Sequence, residues 1–235
     1  MRVHILGYYG GSFRYPGAAS GYMIEDGEDR ILLDMGSGVL GMLQKRSLMD
    51  FHHVYLSHFH ADHYADYLTF IHHRLITNAL GETSGEVTVF CPDDERRNLL
   101  EKEGVSRTVE ITPAFRAGGF ELTTLRTAHP IPTYAVRVEK DGKSIVYTAD
   151  AGLTDDLIAF ADGTDLLITE CSLPRSMPKM EGHLRVDEAR LLIEAAAPKQ
   201  TLITHLPIYG GVTREDFCDL EGILIADEVE TVSVK

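Results

Sequence analysis

The segment Ser57-His58-Phe59-His60-Ala61-Asp62-His63 constrains this chain more than any other. It opens at the end of His53–Ser57, a compact apolar run that reads as a strand. Side chains two apart on extended backbone point the same way, so His58 and His60 can approach one ion together. The chain then turns, and Asp62 and His63 can face a second ion. Imidazole and carboxylate together suit zinc and related divalent metals. One histidine pair in a polar loop would carry little weight. Three histidines and an aspartate in six residues, directly after a buried strand, argue for a bound cation.

Short β-rich runs alternate with helical stretches along the rest of the chain. Arg2–Leu6 reads as a strand leading into the turn Gly7-Tyr8-Tyr9-Gly10-Gly11. Gly21–Glu25 and Arg30–Met35 flank the hairpin signal Asp26-Gly27. A short helix is expected near Val39–Lys45, and Tyr64–Asn78 carries apolar residues at helical spacing. Glu86–Phe90 reads as a strand, and Pro92-Asp93-Asp94 as the start of a helix reaching about Glu101. In the second half, Glu121–Thr127 and Tyr134–Glu139 alternate, and Asp141-Gly142 turns into Ser144–Thr148. Asp165–Thr169 and Thr201–Thr204 read as buried strands, Val186–Ala196 as a helix and Val229–Val234 as a last edge strand. Strands grouped in each half, with helices between them, imply an α/β architecture of two packed sheets covered by helices. The length of 235 residues suits one domain over residues 1–235.

The histidine segment resembles the His-x-His-x-Asp-His signature of the metallo-β-lactamase superfamily. That resemblance implies further ligands at later strand ends in a fixed order, and the sequence carries matching motifs. They are Thr127-Ala128-His129-Pro130, Tyr147-Thr148-Ala149-Asp150-Ala151-Gly152 and Leu202-Ile203-Thr204-His205. Carried over, the first of two divalent metal ions would take His58, His60 and His129. The second would take Asp62, His63 and His205, and Asp150 would bridge them. The implied fold is the four-layer αββα metallo-β-lactamase sandwich with the metals at one edge of the sheets. Zinc is the expected ion, with manganese and iron as alternatives. The remaining histidines, His4, His52, His53, His72 and His73, are read as structural or surface residues.

Two further motifs bear on the substrate. Ile168-Thr169-Glu170-Cys171-Ser172 and Gly182-His183-Leu184-Arg185 resemble signatures of the ribonuclease Z-like phosphodiesterase branch. The resemblance makes Glu170 the residue that orients His183, and His183 the one that assists phosphodiester cleavage, with Asp62 also orienting the nucleophile. Leu184-Arg185 departs from the Ser/Met-Thr pair common in that branch. Tyr64, Arg175 and Arg185 stand beside these motifs, and both substrate contact and surface roles are open to them.

Charge narrows the partners. A formal net charge of -14 disfavours extended nucleic-acid binding, which draws on basic surfaces. Only Ala151–Asp165 separates Asp150 from the next strand, with no long basic arm of the kind that grips tRNA in the full processing enzyme. Two dications against two aspartates would leave the site itself positive, so a small anionic substrate is expected, a small or nucleotide-derived phosphodiester foremost. A thioester or lactone hydrolase, a ribonuclease Z-type RNA endonuclease and a non-catalytic scaffold are the alternatives. No apolar run approaches the roughly 20 residues that span a bilayer. Cys91, Cys171 and Cys218 are too sparse for a disulfide framework, read as ordinary buried thiols and fit a reducing cytoplasm. The resemblance and the frequency of two-fold assemblies point to a homodimer.

Overall fold

Alternation of side chains along each strand decides how this chain layers. In Gly21–Asp26, Tyr22 and Ile24 face one way and Met23 the other, and all three are fully buried. In the neighbouring Asp29–Leu33, Ile31 and Leu33 share the first face and Leu32 the second. A strand buried on both sides must sit between two apolar layers. The computed structural model, which describes Met1–Val234, shows those layers.

Two seven-stranded sheets pack face to face. The first runs, in spatial order, Thr231–Ser233, Arg2–Gly7, Gly21–Asp26, Asp29–Leu33, His53–Tyr55, Val87–Cys91 and Ser106–Glu110. The second runs Ile223–Ile225, Gln200–Thr204, Leu166–Glu170, Lys143–Tyr147, Tyr134–Lys140, Phe120–Arg126 and Ala114–Ala117. Each sheet has an antiparallel part built from hairpins and a parallel part built from crossovers. Both expected hairpin turns are present: Ile24 pairs with Ile31 across Gly27, and Glu139 with Ser144 across Asp141-Gly142.

Between the sheets lie Val3, Ile5, Tyr22, Ile24, Val136, Val138, Ile145 and Ile168. Behind the first sheet, Met23, Leu32 and Val54 pack on helices α1 (Val39–Lys45) and α2 (Ala61–Ala79) through Leu43, Tyr67 and Phe70. Behind the second, Val146, Leu167 and Ile203 pack on α3 (Asp155–Ala161) and α4 (Val186–Ala196) through Leu157, Leu192 and Ile193. The result is the four-layer αββα sandwich. No helix among the described residues is long and apolar enough to cross a membrane.

Several boundaries differ from the sequence expectation. Helix α2 starts at Ala61 instead of Tyr64, because His63 occupies the core-facing position four residues before Tyr67. A polar residue in that place is invisible to hydrophobic periodicity. The helix expected from Pro92 is a single 3-10 stretch, Glu95–Leu100, capped by the Asp94 carboxylate on the Arg96 N–H. Ser106–Glu110 and Ala114–Ala117 are edge strands with largely solvated side chains, so they lack a readable alternation. The residues Ala151–Asp165 hold α3, capped by the Thr154 hydroxyl on the Leu157 N–H. Cys91 and Cys171 are buried as expected, but Cys218 is exposed, because it follows the surface turn Arg214–Phe217.

Candidate metal centre

The parallel strands deliver the chemistry. Asp34 follows Asp29–Leu33, and His58 and His60 follow His53–Tyr55. On the facing sheet Asp150 follows Lys143–Tyr147, Glu170 ends Leu166–Glu170, and His205 follows Gln200–Thr204. All of these are carboxyl ends of neighbouring parallel strands, where open α/β sheets place their clefts. Asp62 and His63 come from the first turn of α2, and His129 from the loop after Phe120–Arg126. Three of the residues at these ends, Asp34, Ala149 and His205, hold positive φ of 57°, 51° and 53°. Non-glycine residues adopt that left-handed conformation at a cost of roughly 1–3 kcal/mol, and such positions cluster at functional sites.

The seven residues expected to hold metal converge. His58, His60, His129 and Asp150 offer ligand atoms all within 4.8 Å of one another, and so do Asp62, His63 and His205. Asp150 spans the two sets: Oδ2 lies 3.5 Å from His58 Nε2, while Oδ1 lies 3.2 Å from both His63 Nε2 and His205 Nε2. Asp62 Oδ2 is 3.3 Å from His205 Nε2 and accepts the Gly11 N–H at 2.6 Å.

Hydrogen bonds on the far side of each ring decide which nitrogen faces inward. His63 Nδ1 donates to Asp34 Oδ2 at 2.7 Å, and His129 Nδ1 donates to the Gly182 carbonyl at 3.1 Å. The Ser57 hydroxyl donates to Asp34 at 2.8 Å and therefore accepts from His58 Nδ1 at 3.0 Å. The Ser172 hydroxyl donates to Glu170 Oε2 and therefore accepts from His205 Nδ1 at 2.7 Å. Four Nε2 lone pairs are thus aimed at the centre. His60 presents Nδ1 instead, 3.1 Å from His58 Nε2 and 3.3 Å from His129 Nε2.

This donor set fits divalent ions. His63 Nε2 and His205 Nε2 face each other at 3.3 Å with their Nδ1 protons already engaged elsewhere, and the buried Asp150 Oδ1 has no hydrogen-bond donor. A divalent cation placed among them would satisfy these acceptors together. The pKa values report the same field. Burial opposes a charge on His63, yet Asp150, Asp62 and Asp34 carry its pKa well above the usual imidazole range. Burial also opposes the Asp62 carboxylate, yet His63 and His205 hold it far below the usual range. His58, dominated by burial and repelled by His63, falls to about 4, as suits a neutral ligand. Oriented imidazoles with carboxylates behind them are the usual second layer of a metal site.

Glu170 and His183 also meet here: His183 Nδ1 donates to Glu170 Oε1 at 3.1 Å. The His183 ring stacks on His205 with centroids 5.7 Å apart and stands edge-on to His129 at 5.3 Å. Burial works against the imidazolium, but the Glu170 hydrogen bond and charge, with Asp150 and Asp62, push its pKa up to about 9. His183 lines a cleft of about 230 Å³, together with Leu173, Met180, Ile208 and Tyr209, while Glu170 is buried behind it. Arg185 pairs with Asp187 and Arg175 with Asp216, while Tyr64 packs edge-on to Phe59. His4 pairs with Glu25 and His52 accepts from Arg74, both away from the centre.

Sequence reasoning missed Asp34, Ser57, Ser172 and the two glycines Gly10 and Gly182. An added Cβ at Gly10 would lie 2.4 Å from His205 Nδ1, and one at Gly182 would lie 2.7 Å from His129 Nδ1. Both glycines let backbone approach a ligand ring. The signal available for Asp34 was an aspartate closing an apolar strand just before Met35-Gly36, the same pattern as Asp150 before Ala151-Gly152.

Comparison with known proteins agrees with this geometry. Residues 29–206 match the beta-lactamase superfamily domain. The probable metallo-hydrolase YhfI of Bacillus subtilis (strain 168) is 32% identical over 218 residues, covering 89% of this chain and 88% of the relative. The crystal structure of that metallo-beta-lactamase fold protein superposes with a TM-score of 0.89 at 30% identity over 95% of each chain. Human tRNase Z, short form, superposes at 0.79 with 18% identity, covering 100% of each chain. A diphosphatase from the PhnP family superposes at 0.78 with 15% identity, covering 100% of this chain and 98% of the other. At those identities the likeness to the last two is one of fold. Sequence match, layer order and donor set together place the chain in the metallo-β-lactamase superfamily.

Proposed function

We propose that this chain is a metal-dependent hydrolase that cleaves a small or nucleotide-derived phosphodiester. The observation that carries the reading is the His183–Glu170 pair, held at 3.1 Å beside the convergent imidazoles. The leaving oxygen of a phosphodiester departs with negative charge, and an imidazole held in that orientation can supply it with a proton or a hydrogen bond.

The ligands we assign are His58, His60 and His129 to one ion, Asp62, His63 and His205 to the other, and Asp150 to both. When bound, two divalent ions polarise a phosphoryl oxygen and supply hydroxide near neutral pH. Zinc suits the His-rich set, and manganese or iron would be accepted by the same donors. The protein's own residues do the rest. Glu170 fixes the Nδ1 proton of His183 and supports the imidazolium, so that Nε2 can give its proton or a hydrogen bond to the leaving oxygen. Asp62, itself steadied by the Gly11 N–H, accepts a hydrogen bond from the attacking nucleophile and turns it toward phosphorus. The cleft of about 230 Å³ is of a size to admit a small diester.

Comparing phosphodiester, phosphomonoester and thioester hydrolysis by the zinc-loaded protein tests this reading. A phosphodiester is expected to be preferred, and His183→Ala is expected to lose about 10²–10⁴-fold in turnover while keeping its metal. A thioester preference, or full activity in His183→Ala, overturns it.

A further inference from the structure

Glu170 has more partners than a role in holding His183 requires. Its Oε1 accepts from His183 Nδ1 at 3.1 Å and from the Ala151 N–H at 2.9 Å. Its Oε2 accepts from the Ser172 hydroxyl, whose oxygen lies 2.7 Å from His205 Nδ1 and 3.5 Å from His183 Nδ1. The carboxylate is 1% exposed, and His183 is its ion-pair partner among the described residues. A buried carboxylate is stable only when donors surround it, and here those donors are two residues of the centre and the backbone next to Asp150.

We propose that Ser172 is a positioning residue that couples Glu170 to His205. The hydroxyl accepts one proton, from His205 Nδ1, and donates its own to Glu170. That fixes the His205 tautomer, turns Nε2 toward Asp62 and Asp150, and places a carboxylate behind the imidazole at one remove. One buried carboxylate thereby aims two rings: His183 directly, at the cleft, and His205 through Ser172, at the second ion position. The stacking of the two rings at an interplanar angle of 14° follows from this shared anchor. Asp34 stands in the same relation to the first sheet, holding His63 directly and His58 through Ser57. Each sheet edge thus presents one buried carboxylate and one serine that between them orient two imidazoles.

This inference rests on the two-ion reading above, and its test separates the two. Zinc affinity is measured by chelator competition on the full chain, stripped and reloaded, for the parent and three variants. The parent is expected to hold two ions. Ser172→Ala is expected to weaken one of them by about 10–100-fold, the range for losing a group behind a ligand, and to leave the other unchanged. Ser172→Thr, which keeps the hydroxyl, is expected to restore that affinity, and His183→Ala to leave both ions in place. A second readout is the ring N–H proton of His205 in the NMR spectrum of the zinc-loaded protein, present in the parent and lost from Ser172→Ala. Parental affinity for both ions in Ser172→Ala, equal weakening of both, or no restoration by threonine overturns the inference. A parent that holds fewer than two ions removes the reading beneath it instead.

Discussion

Asp34 Oδ2 lies 2.7 Å from His63 Nδ1, and neither side chain reaches solvent. The same carboxylate accepts from the Ser57 N–H at 2.7 Å, the Ser57 hydroxyl at 2.8 Å and the Tyr147 hydroxyl at 2.7 Å. Tyr147 belongs to the opposite sheet, so Asp34 joins the two sheets as well as aiming a ligand ring. Asp34→Ala leaves those donors unpaired in the core. Breaking such a buried pair is expected to cost about 3–5 kcal/mol, read by urea unfolding of the chelator-stripped protein. Tyr147→Phe removes one hydrogen bond to a charged acceptor and is expected to cost about 1.5–3 kcal/mol. An Asp34→Ala protein as stable as the parent would show that the carboxylate contributes nothing to the fold.

Asp150 divides its oxygens between the two ligand sets, which gives it a consequence no histidine shares. Asp150→Ala removes a donor, and a negative charge, from both candidate positions. Occupancy at both is expected to fall, with hydrolysis lost alongside. His129→Ala touches the first position only and is expected to keep the second ion. Elemental analysis of the purified variants decides: one tightly held ion in Asp150→Ala means that the carboxylate is not shared.

How much of this was legible follows from what each residue contributes to a pattern. The sheets announced themselves because Tyr22, Ile24, Ile31 and Leu33 are apolar and alternate, as do Ile145, Tyr147, Leu166 and Ile168. The histidine segment was legible because its ligands crowd into six residues. Asp34 and Ser172 were not, because their partners lie far along the chain, Asp34 at 113 residues from Tyr147 and Ser172 at 33 from His205. A single aspartate or serine beside a strand end is common enough to be a weak signal until the fold brings the partner near. The start of α2 failed for a related reason: its first core-facing side chain is His63, so a search for apolar spacing begins three residues late, at Tyr64.

The cysteines give a test that does not involve the centre. Cys91 is buried at the end of Val87–Cys91, and desolvation pushes its thiol up to about 12. Cys171 is buried next to Glu170 and is raised further, by desolvation first and by that carboxylate second. A raised thiol pKa means less thiolate at any working pH, and burial denies reagent access as well. Ellman's reagent at pH 8 is expected to titrate Cys218 alone in the native protein, and all three thiols after guanidinium unfolding. Rapid reaction of a second thiol in the native state would mean that one of the two helix-backed layers opens readily.

Two adjacent glycines are expected to fail for different reasons when replaced. At Gly10 an added Cβ would meet the His205 ring, 2.4 Å from Nδ1 and 2.5 Å from Cε1. The ring or the loop must move, and His205 Nδ1 then leaves Ser172. At Gly11 an added Cβ meets nothing within 4 Å, but the residue holds φ +70, where an L side chain costs about 1–2 kcal/mol. Gly10→Ala is therefore expected to weaken one bound ion by about tenfold or more. Gly11→Ala is expected to lower stability by the backbone strain alone and to keep both ions, because its N–H still reaches Asp62 Oδ2. Zinc competition and thermal unfolding on the two variants distinguish a contact with a ligand from a strained turn. If Gly11→Ala releases metal and Gly10→Ala does not, the loop governs the centre through Asp62 and His205 tolerates displacement.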